Sequence, residues 1–171
     1  QSPYVSPDYN PLLFSIRSTM TSMEQILASI ASTADPKERS HLTYASSNRL
    51  WQTSDKRDDI VHSHTRKIDE VLADTYHALY GVYSVAMRLP NAVYGTWGHP
   101  ASDIHKLLHS ATHNETFVPG DSNSNNLKEE TLDMVHVDDI VDAFISAMQF
   151  RYPSSKPAAF ELTSGMTSSL E

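Results

Sequence analysis

The chain has 171 residues, and 13 basic against 21 acidic side chains give it a net charge of −8. This length allows one domain with a hydrophobic core, and 39% apolar with 9% aromatic residues exclude a disordered or low-complexity chain. No apolar run is long enough to span a bilayer, the acidic balance argues against nucleic acid as a partner, and the lack of cysteine excludes disulfides and thiolate chemistry.

The first half of the chain begins with an amphipathic helix. Apolar residues recur at spacings of three and four over residues 13–30, and a proline follows at position 36. Residues 41–45 are β-prone and predict a buried strand that runs into a loop at residues 46–48. The clearest helix comes next, because apolar residues over 68–79 share one face and Gly81 stands where a C-terminal cap belongs.

The second half continues the alternation of strand and helix. Polar residues near 120–130 predict a flexible loop within a single domain over residues 1–171. The alternation predicts an α/β fold with a mainly parallel sheet. In chain order we predict a strand at 82–87, a loop at 90–100, a helix at 102–111, a strand at 132–137, a helix capped by Asp138 and a strand at 159–162.

The two termini are unusual for a complete chain. The sequence starts at Gln1 with no initiator methionine, and residues 168–171 read as the first turn of a helix. We therefore expect a processed chain or part of a longer protein.

Four stretches carry a distinctive set of motifs in a fixed order. They are Tyr44-Ala-Ser-Ser, residues 65–81, Val93-Tyr-Gly-Thr-Trp-Gly-His-Pro and Asp133-Met-Val-His-Val-Asp-Asp-Ile-Val. They resemble the strand-serine motif, active-site helix, substrate loop and helix start of the extended short-chain dehydrogenase/reductases, most closely the UDP-glucuronate 4-epimerase type of nucleotide-sugar epimerase. The resemblance covers the later part of that family's domain. It implies a degenerate, truncated member with a partial Rossmann-like sheet that lacks the N-terminal dinucleotide-binding strands.

The resemblance also directs attention to the dinucleotide site. NAD is held by a glycine-rich turn between the first strand and helix of a Rossmann fold. The nearest pattern here is Gly95-x-x-Gly98-x-x-Ala101, which Pro90 and Pro100 flank, whereas a phosphate-binding loop leaves a strand directly. In the family this segment is the sugar-side loop. We expect no cofactor, and NAD only if an upstream Rossmann half exists.

The family's catalytic set is a serine or threonine with a Tyr-x-x-x-Lys motif, in which a tyrosine phenolate removes the sugar hydroxyl proton. By resemblance, Ser47 falls on the serine position. An ungapped alignment places His62 at the tyrosine and Arg66 at the lysine, and a shift of one residue restores neither. His62 could act as a base near neutral pH, but the family's reaction also needs a hydride acceptor beside the base. We therefore expect a protein without catalytic activity.

The sugar-nucleotide positions of the family also differ in this chain. Asn91 approximates an asparagine of the family, whereas His99 and Leu132 replace two arginines. Losing both guanidinium groups weakens any grip on a diphosphate. For Asp133 we favour a structural role in hydrogen bonds at the end of a strand.

Three histidines recur every four residues, at His105, His109 and His113. On a helix this spacing could bind zinc or copper, but it also describes a solvated helix face, and no His-Glu-x-x-His motif accompanies it. We favour the solvated face and predict no metal site.

Our leading functional hypothesis starts from the sheet. A parallel sheet that lacks its first strands exposes an edge at residues 41–45, which something must cover. We predict a non-catalytic structural or interaction subunit that binds other proteins of a larger assembly, with an organellar respiratory or photosynthetic membrane complex as the preferred setting. One alternative is a nucleotide-sugar epimerase whose NAD-binding half lies outside this sequence. Another is a sugar-nucleotide-binding module with a pocket around Ser47, Asn91 and His99.

Overall fold

A computed structural model describes residues 11–51, 57–90, 92–96, 98, 103–116, 132–149 and 157–168. Among the helices in these ranges, none is long and apolar enough to cross a membrane. The helices are α1 (Pro11–Ala31), α2 (Arg57–Tyr80), α3 (Asp103–His113) and α4 (Val137–Gln149). The strands are β1 (Leu42–Ser47), β2 (Ser84–Leu89), β3 (Ala92–Tyr94), β4 (Leu132–His136), β5 (Ala158–Glu161) and β6 (Thr167–Ser168).

These strands form two small sheets. The first has the order β1–β2–β5 and is parallel throughout, with Thr43 opposite Val85 and Val85 opposite Ala158. The second has the order β3–β4–β6, in which β3 runs parallel to β4 and β6 runs antiparallel to it. The predicted α/β fold with a mainly parallel sheet is confirmed.

The first sheet is covered on both of its faces. Side chains alternate along β2, so Ala86 and Arg88 point to one face while Val85 and Met87 point to the other. Arg88 bonds to Glu70 of α2, which places α2 on its face. Val85 and Met87 are also buried, and α4, which packs against β1 and β2, covers them. This two-sided burial is typical of parallel sheets.

The helices α1 and α2 pack together over one hydrophobic cluster. Met23 and Leu27 of α1 meet Ala73 of α2 and Val82, which precedes β2. Leu27 is completely buried, because the spacing of three and four that predicted α1 places its apolar side chains on one face. The predicted first helix is confirmed, although it ends ahead of Pro36.

One arginine and one glycine secure the ends of these helices. Gly81 adopts a φ of 70° and its N–H donates to the carbonyl of His77 at 2.8 Å, which confirms the predicted cap of α2. Arg39 donates from Nη2 to the carbonyl of Ala31 at 3.2 Å and from Nη1 to the carbonyl of Tyr80. A single guanidinium therefore binds the C-terminal carbonyls of both helices, where a cation is favoured.

Several predicted boundaries are wrong. β1 continues through Ser46 and Ser47, which we expected in a loop, because both residues remain in register with β2. The segment 90–100 contains β3, whose three residues pair with β4, so pairing across the fold overrides the flanking prolines. The flexible loop predicted near 120–130 lies outside the described residues.

Candidate functional site

Ser47, the predicted serine position, stands at the C-terminal end of β1. Its side chain is buried, and its Oγ accepts a hydrogen bond from the backbone N–H of Arg49 at 3.1 Å. This bond opens the single 3₁₀ turn Asn48–Trp51 that follows the strand. The structure therefore gives the Ser47 hydroxyl a local structural role at the start of a turn.

His62 and Arg66 lie one helical turn apart on α2, so they share a face of that helix. The His62 side chain is exposed. The Arg66 Nη1 lies 3.1 Å from Oδ2 of Asp69, whose side chain is buried. The cation at the position of the family's lysine is therefore engaged by a carboxylate of its own helix.

Asp69 is an unusual partner for that cation. Only Oδ2 is bonded to Arg66, and Oδ1 is buried with no hydrogen-bond partner among the described residues. Burial raises the pKa of Asp69, and the nearby Arg66 guanidinium opposes this rise without cancelling it. Arg66 thus offsets part of the cost of burying the Asp69 carboxylate.

A polar network that the sequence reading did not identify lies between α2 and the first sheet. Glu70 accepts hydrogen bonds from Ser46 Oγ at 2.6 Å and from Arg88 Nε and Nη2 at 3.0 and 2.8 Å. Arg88 Nη1 also lies 3.6 Å from Glu161 of β5. The paired contact of Arg88 with Glu70 has the fork geometry that makes arginine and carboxylate pairs strong.

The protonation of Glu70 follows from this network. Burial alone raises the pKa of Glu70, but the hydrogen bonds from Arg88 and Ser46 outweigh burial and hold that pKa below its ordinary value. The carboxylate is therefore ionised at neutral pH and fastens α2 to β1 and β2. The one signal for this in the sequence is Arg88 itself, a charged residue beside an apolar strand that needs a partner when buried.

Tyr44 is the tyrosine of β1 on the face that α2 covers. Burial raises the pKa of the Tyr44 phenol, and the negative charges of Glu70, Asp69 and Asp74 raise it further. This is the reverse of what a phenolate base requires, because such a base needs a lowered pKa. Tyr44 is thus a protonated residue of the core and is not suited to act as a phenolate base.

On the sugar side, Asp133 is the predicted position that falls within the described residues. It lies in β4, and its Oδ1 accepts hydrogen bonds from the N–H of Ser164 at 2.9 Å and from Ser164 Oγ at 2.5 Å. Hydrogen bonds from Ser164 and Thr163 lower the pKa of Asp133. Asp133 therefore orders the turn between β5 and β6. Asn91 and His99 lie outside the described residues.

The junction of β4 and α4 corrects one prediction. We expected Asp138 to cap the last helix, but α4 begins at Val137, so Asp138 lies within its first turn. The cap is His136, whose Nδ1 accepts a hydrogen bond from the N–H of Asp138 at 3.2 Å. The sequence did not indicate this, because histidine is an uncommon residue at this position.

The glycine pattern beginning at Gly95 also needs correction. The sequence predicts a loop over residues 90–100, yet Gly95 directly follows β3. The structure supplies a packing reason for this glycine, since its φ is 139° and an added Cβ would lie 2.5 Å from Cγ1 of Val137. Gly95 therefore allows β3 and α4 to approach closely.

Two of the three histidines of α3 are stacked on each other. The rings of His109 and His113 lie 4.1 Å apart and nearly parallel, and His109 Nδ1 is 3.9 Å from Glu115 Oε2. Over the described ranges, no group of three or more histidine, aspartate or glutamate side chains could hold a metal ion.

The sequence shares part of its length with known proteins, although no family model matches it. It is 30% identical over 115 residues to an Escherichia coli O111:H- protein described as an uncharacterized 37.6 kDa protein in the cld 5' region. The match covers 61% of this chain and 33% of that protein. The chain thus spans about a third of the length of this curated relative.

Solved structures match nearly the whole described chain. UDP-glucuronic acid 4-epimerase from Bacillus cereus, in complex with UDP-glucuronic acid and NAD, superposes with a TM-score of 0.68 at 16% identity over 96% of this chain and 51% of its own. UDP-N-acetylglucosamine 4-epimerase from Methanobrevibacter ruminantium M1 gives 0.68 at 15% identity, over 91% and 50%. The fold of this chain is therefore similar to about half of each of these epimerases, and the predicted partial Rossmann-like fold is confirmed.

Proposed function

We propose that this chain is an epimerase-like protein that performs no hydride transfer and acts as an interaction subunit of a larger protein assembly. The observation that carries this proposal is the contact between Arg66 and the buried Asp69. This contact gives a structural role to Arg66, which lies at the lysine position of the catalytic motif. A guanidinium is also charged at every physiological pH, so it cannot be tuned as a lysine can.

The remaining positions support the same proposal. Epimerase chemistry needs a group that removes a hydroxyl proton while a hydride leaves the adjacent carbon. Tyr44 has a raised pKa, and Ser47 accepts a hydrogen bond from a turn. His62 is exposed on α2, and a base alone cannot complete the reaction without a hydride acceptor.

NAD binding tests the proposal directly. We expect that NADH shows no change in fluorescence with the purified chain, and that NAD does not raise the melting temperature of the chain. A ligand that bound only the folded state would raise that temperature. The Bacillus cereus epimerase serves as the positive control. Saturable binding with a matching rise in melting temperature would overturn the proposal.

A second experiment restores the catalytic motif. The double variant His62→Tyr, Arg66→Lys should give no turnover of UDP-glucuronate, because Asp69 still holds the cation at position 66 and the cofactor site is not supplied. A triple variant that also carries Asp69→Asn releases that cation and should remain inactive. Turnover by either variant would show that the chemistry needs only these side chains, and the proposal would fail.

A second candidate function is favoured by the length of the matches. Because the chain covers about half of enzymes solved with NAD and nucleotide sugars, it could form the sugar-side half of a complete epimerase. This candidate predicts that the chain binds UDP-glucuronate and that Asp133→Ala weakens the binding. Isothermal titration with UDP-glucuronate separates the two, since an interaction subunit should release no heat.

A further inference from the structure

The connection between β4 and α4 links the two sheets of the molecule. β4 pairs with β3 in the second sheet, whereas α4 packs against β1 and β2 of the first. His136 is the last residue of β4, and Val137 is the first residue of α4. His136 therefore lies where the chain leaves one sheet and enters the helix that covers the other.

The His136 ring caps α4 through one of its nitrogens. Nδ1 accepts a hydrogen bond from the backbone N–H of Asp138, the second residue of α4, at 3.2 Å. A cap of this kind satisfies one of the N–H groups that the first turn of a helix leaves without a helical partner. The oxygens of serine, threonine and asparagine accept such a bond at any pH near neutrality. An imidazole nitrogen accepts it only when that nitrogen carries no hydrogen.

The same nitrogen has a second partner within reach. Nδ1 lies 3.4 Å from Oδ2 of Asp138, whose side chain is 80% exposed. A neutral ring that accepts at Nδ1 cannot donate from it, whereas a protonated ring carries a hydrogen on both nitrogens and can only donate. The backbone N–H and the carboxylate of Asp138 therefore compete for Nδ1, and the charge of the ring decides which of them it binds.

The titratable groups of the surrounding elements leave this exchange to Asp138. From β3, the Tyr94 ring lies 5.1 Å from the His136 ring at an angle of 78°. Asp133 of β4 and Arg88 of β2 each bind another side chain. Further titratable side chains described on the elements that pack around β3, β4 and α4 are Tyr44 of β1, His105, Lys106, His109 and His113 of α3, and Asp139 and Asp142 of α4. Among the described residues, Asp138 supplies the carboxylate that contacts the ring.

We propose that His136 is a pH-sensitive cap of α4. The neutral ring binds the N–H of Asp138, and a proton transfers Nδ1 to the Asp138 carboxylate and leaves that N–H without its bond. Imidazole changes its charge between about pH 5 and 8, and the His136 side chain is 36% exposed, so a proton reaches it in the folded chain. This cap works in the same way whether or not the chain is an interaction subunit.

The turn after β3 is the region that this exchange affects. A Cβ built on Gly95 would lie 3.1 Å from Nε2 of His136 and 2.5 Å from Cγ1 of Val137, so the turn packs directly against the start of α4. Loss of a cap loosens the first turn of a helix. We therefore expect acid to loosen the packing between the second sheet and α4. The ion pair with Asp138 offsets part of the lost bond, so local structure should change more than overall stability.

The tautomer of His136 tests the cap itself. Nitrogen NMR of the purified chain at pH 8 should show Nδ1 of His136 without a hydrogen and Nε2 with one. The signals are assigned by their absence from the spectrum of the variant His136→Asn. A hydrogen on Nδ1 at pH 8 would rule out its role as an acceptor, and the proposal would be wrong.

A titration from pH 8 to 5 tests the exchange of partners. As the His136 ring takes up its proton, the Asp138 amide should lose its hydrogen-bonded chemical shift with the same midpoint. Hydrogen exchange of this amide, corrected for the intrinsic effect of pH, should become about fivefold faster. In His136→Asn the same amide should show neither change, because asparagine caps throughout this range. An Asp138 amide that does not respond while the ring is protonated would contradict the proposal.

Removing the carboxylate separates the two states. Asp138→Ala keeps the N–H that His136 caps and removes the partner of the protonated ring. Acidification from pH 8 to 5 should therefore lower the melting temperature of this variant more than that of the original chain. The double variant His136→Asn, Asp138→Ala is the matched control and should lack this extra drop. An equal drop in the single and double variants, or no extra drop in Asp138→Ala, would overturn the proposal.

Discussion

The two sheets of this molecule differ in burial and in strand length. The central strand of the first, β2, is largely buried on both faces, and Arg88 of this strand binds Glu70 of α2. The second, β3–β4–β6, has shorter strands, and the turn that Asp133 orders is exposed, with Met166 showing 74% of its surface. The contrast therefore predicts that substitutions in the first sheet lower the free energy of unfolding more than substitutions in the second.

The largest effect is expected in the core beneath the first sheet. Leu27→Ala should lower the free energy of unfolding by about 3 kcal/mol, because it leaves a cavity at a completely buried site. Urea denaturation measures the change. Ile26→Ala is the matched control, since Ile26 is 46% exposed and should cost less than about 0.5 kcal/mol. Equal losses in the two variants would contradict the assignment of the core.

A smaller loss is expected from the contact between α2 and the sheet. Glu70→Ala should cost about 2 kcal/mol, because it leaves the Arg88 guanidinium, 20% exposed, without its carboxylate. Asp74→Ala, at an exposed position of the same helix, is the control and should be nearly neutral. In the double variant Glu70→Ala, Arg88→Met the losses should be less than additive. Full additivity would show that the two side chains do not interact energetically.

The two neighbouring acids should respond to pH in opposite directions. The pKa of Glu70 is lowered, so its contribution is present above about pH 4.3, the unfolded value, and is lost as the pH falls through the folded pKa. The pKa of Asp69 is raised, so its contribution is present below about pH 3.9 and is lost as the pH rises through the folded pKa.

Paired denaturation curves test this contrast. Relative to Glu70→Gln, the original chain should gain stability as the pH rises across the acid range, and relative to Asp69→Asn it should lose stability. If both stability differences changed with pH in the same direction, the pKa of Glu70 or the pKa of Asp69 would be shifted in the direction opposite to the one given above.

The smallest effect is expected in the second sheet. Asp133→Ala should cost less than about 1 kcal/mol, because its hydrogen bonds to Ser164 are exposed to solvent. Asp142→Ala, on the exposed side of α4, provides the baseline. A loss as large as that of Glu70→Ala would remove the difference between the two sheets.

The elements that periodicity defines could be predicted from the sequence. α1 and α2 each present apolar residues at helical spacing over many turns, and Gly81 supplies a cap at a position that needs a positive φ. β3 could not be predicted, because three residues between Pro90 and Gly95 carry too little local preference. Its strand exists only because β4 pairs with it from far along the chain.

The same limit applies to the candidate site. Motif spacing predicted that His62 and Arg66 lie on one helix, and α2 contains both residues one helical turn apart. The bonds of Glu70 to Arg88 depend on the register that places Ser46 opposite Arg88, and no local pattern encodes that register. The contact of Asp133 with Ser164 likewise joins residues that only the folded chain brings together.

The order of strands in the first sheet has a consequence for synthesis. Val85 of β2 pairs with Ala158 of β5, which lies 73 residues further along the chain. At roughly 5–20 residues per second, a ribosome needs about 4–15 s to supply that partner after β2 has emerged. During this interval the edge of β2 that later pairs with β5 has no partner strand from β5. We therefore expect the yield of the chain in cells to depend on how well chaperones shield β2 until β5 arrives.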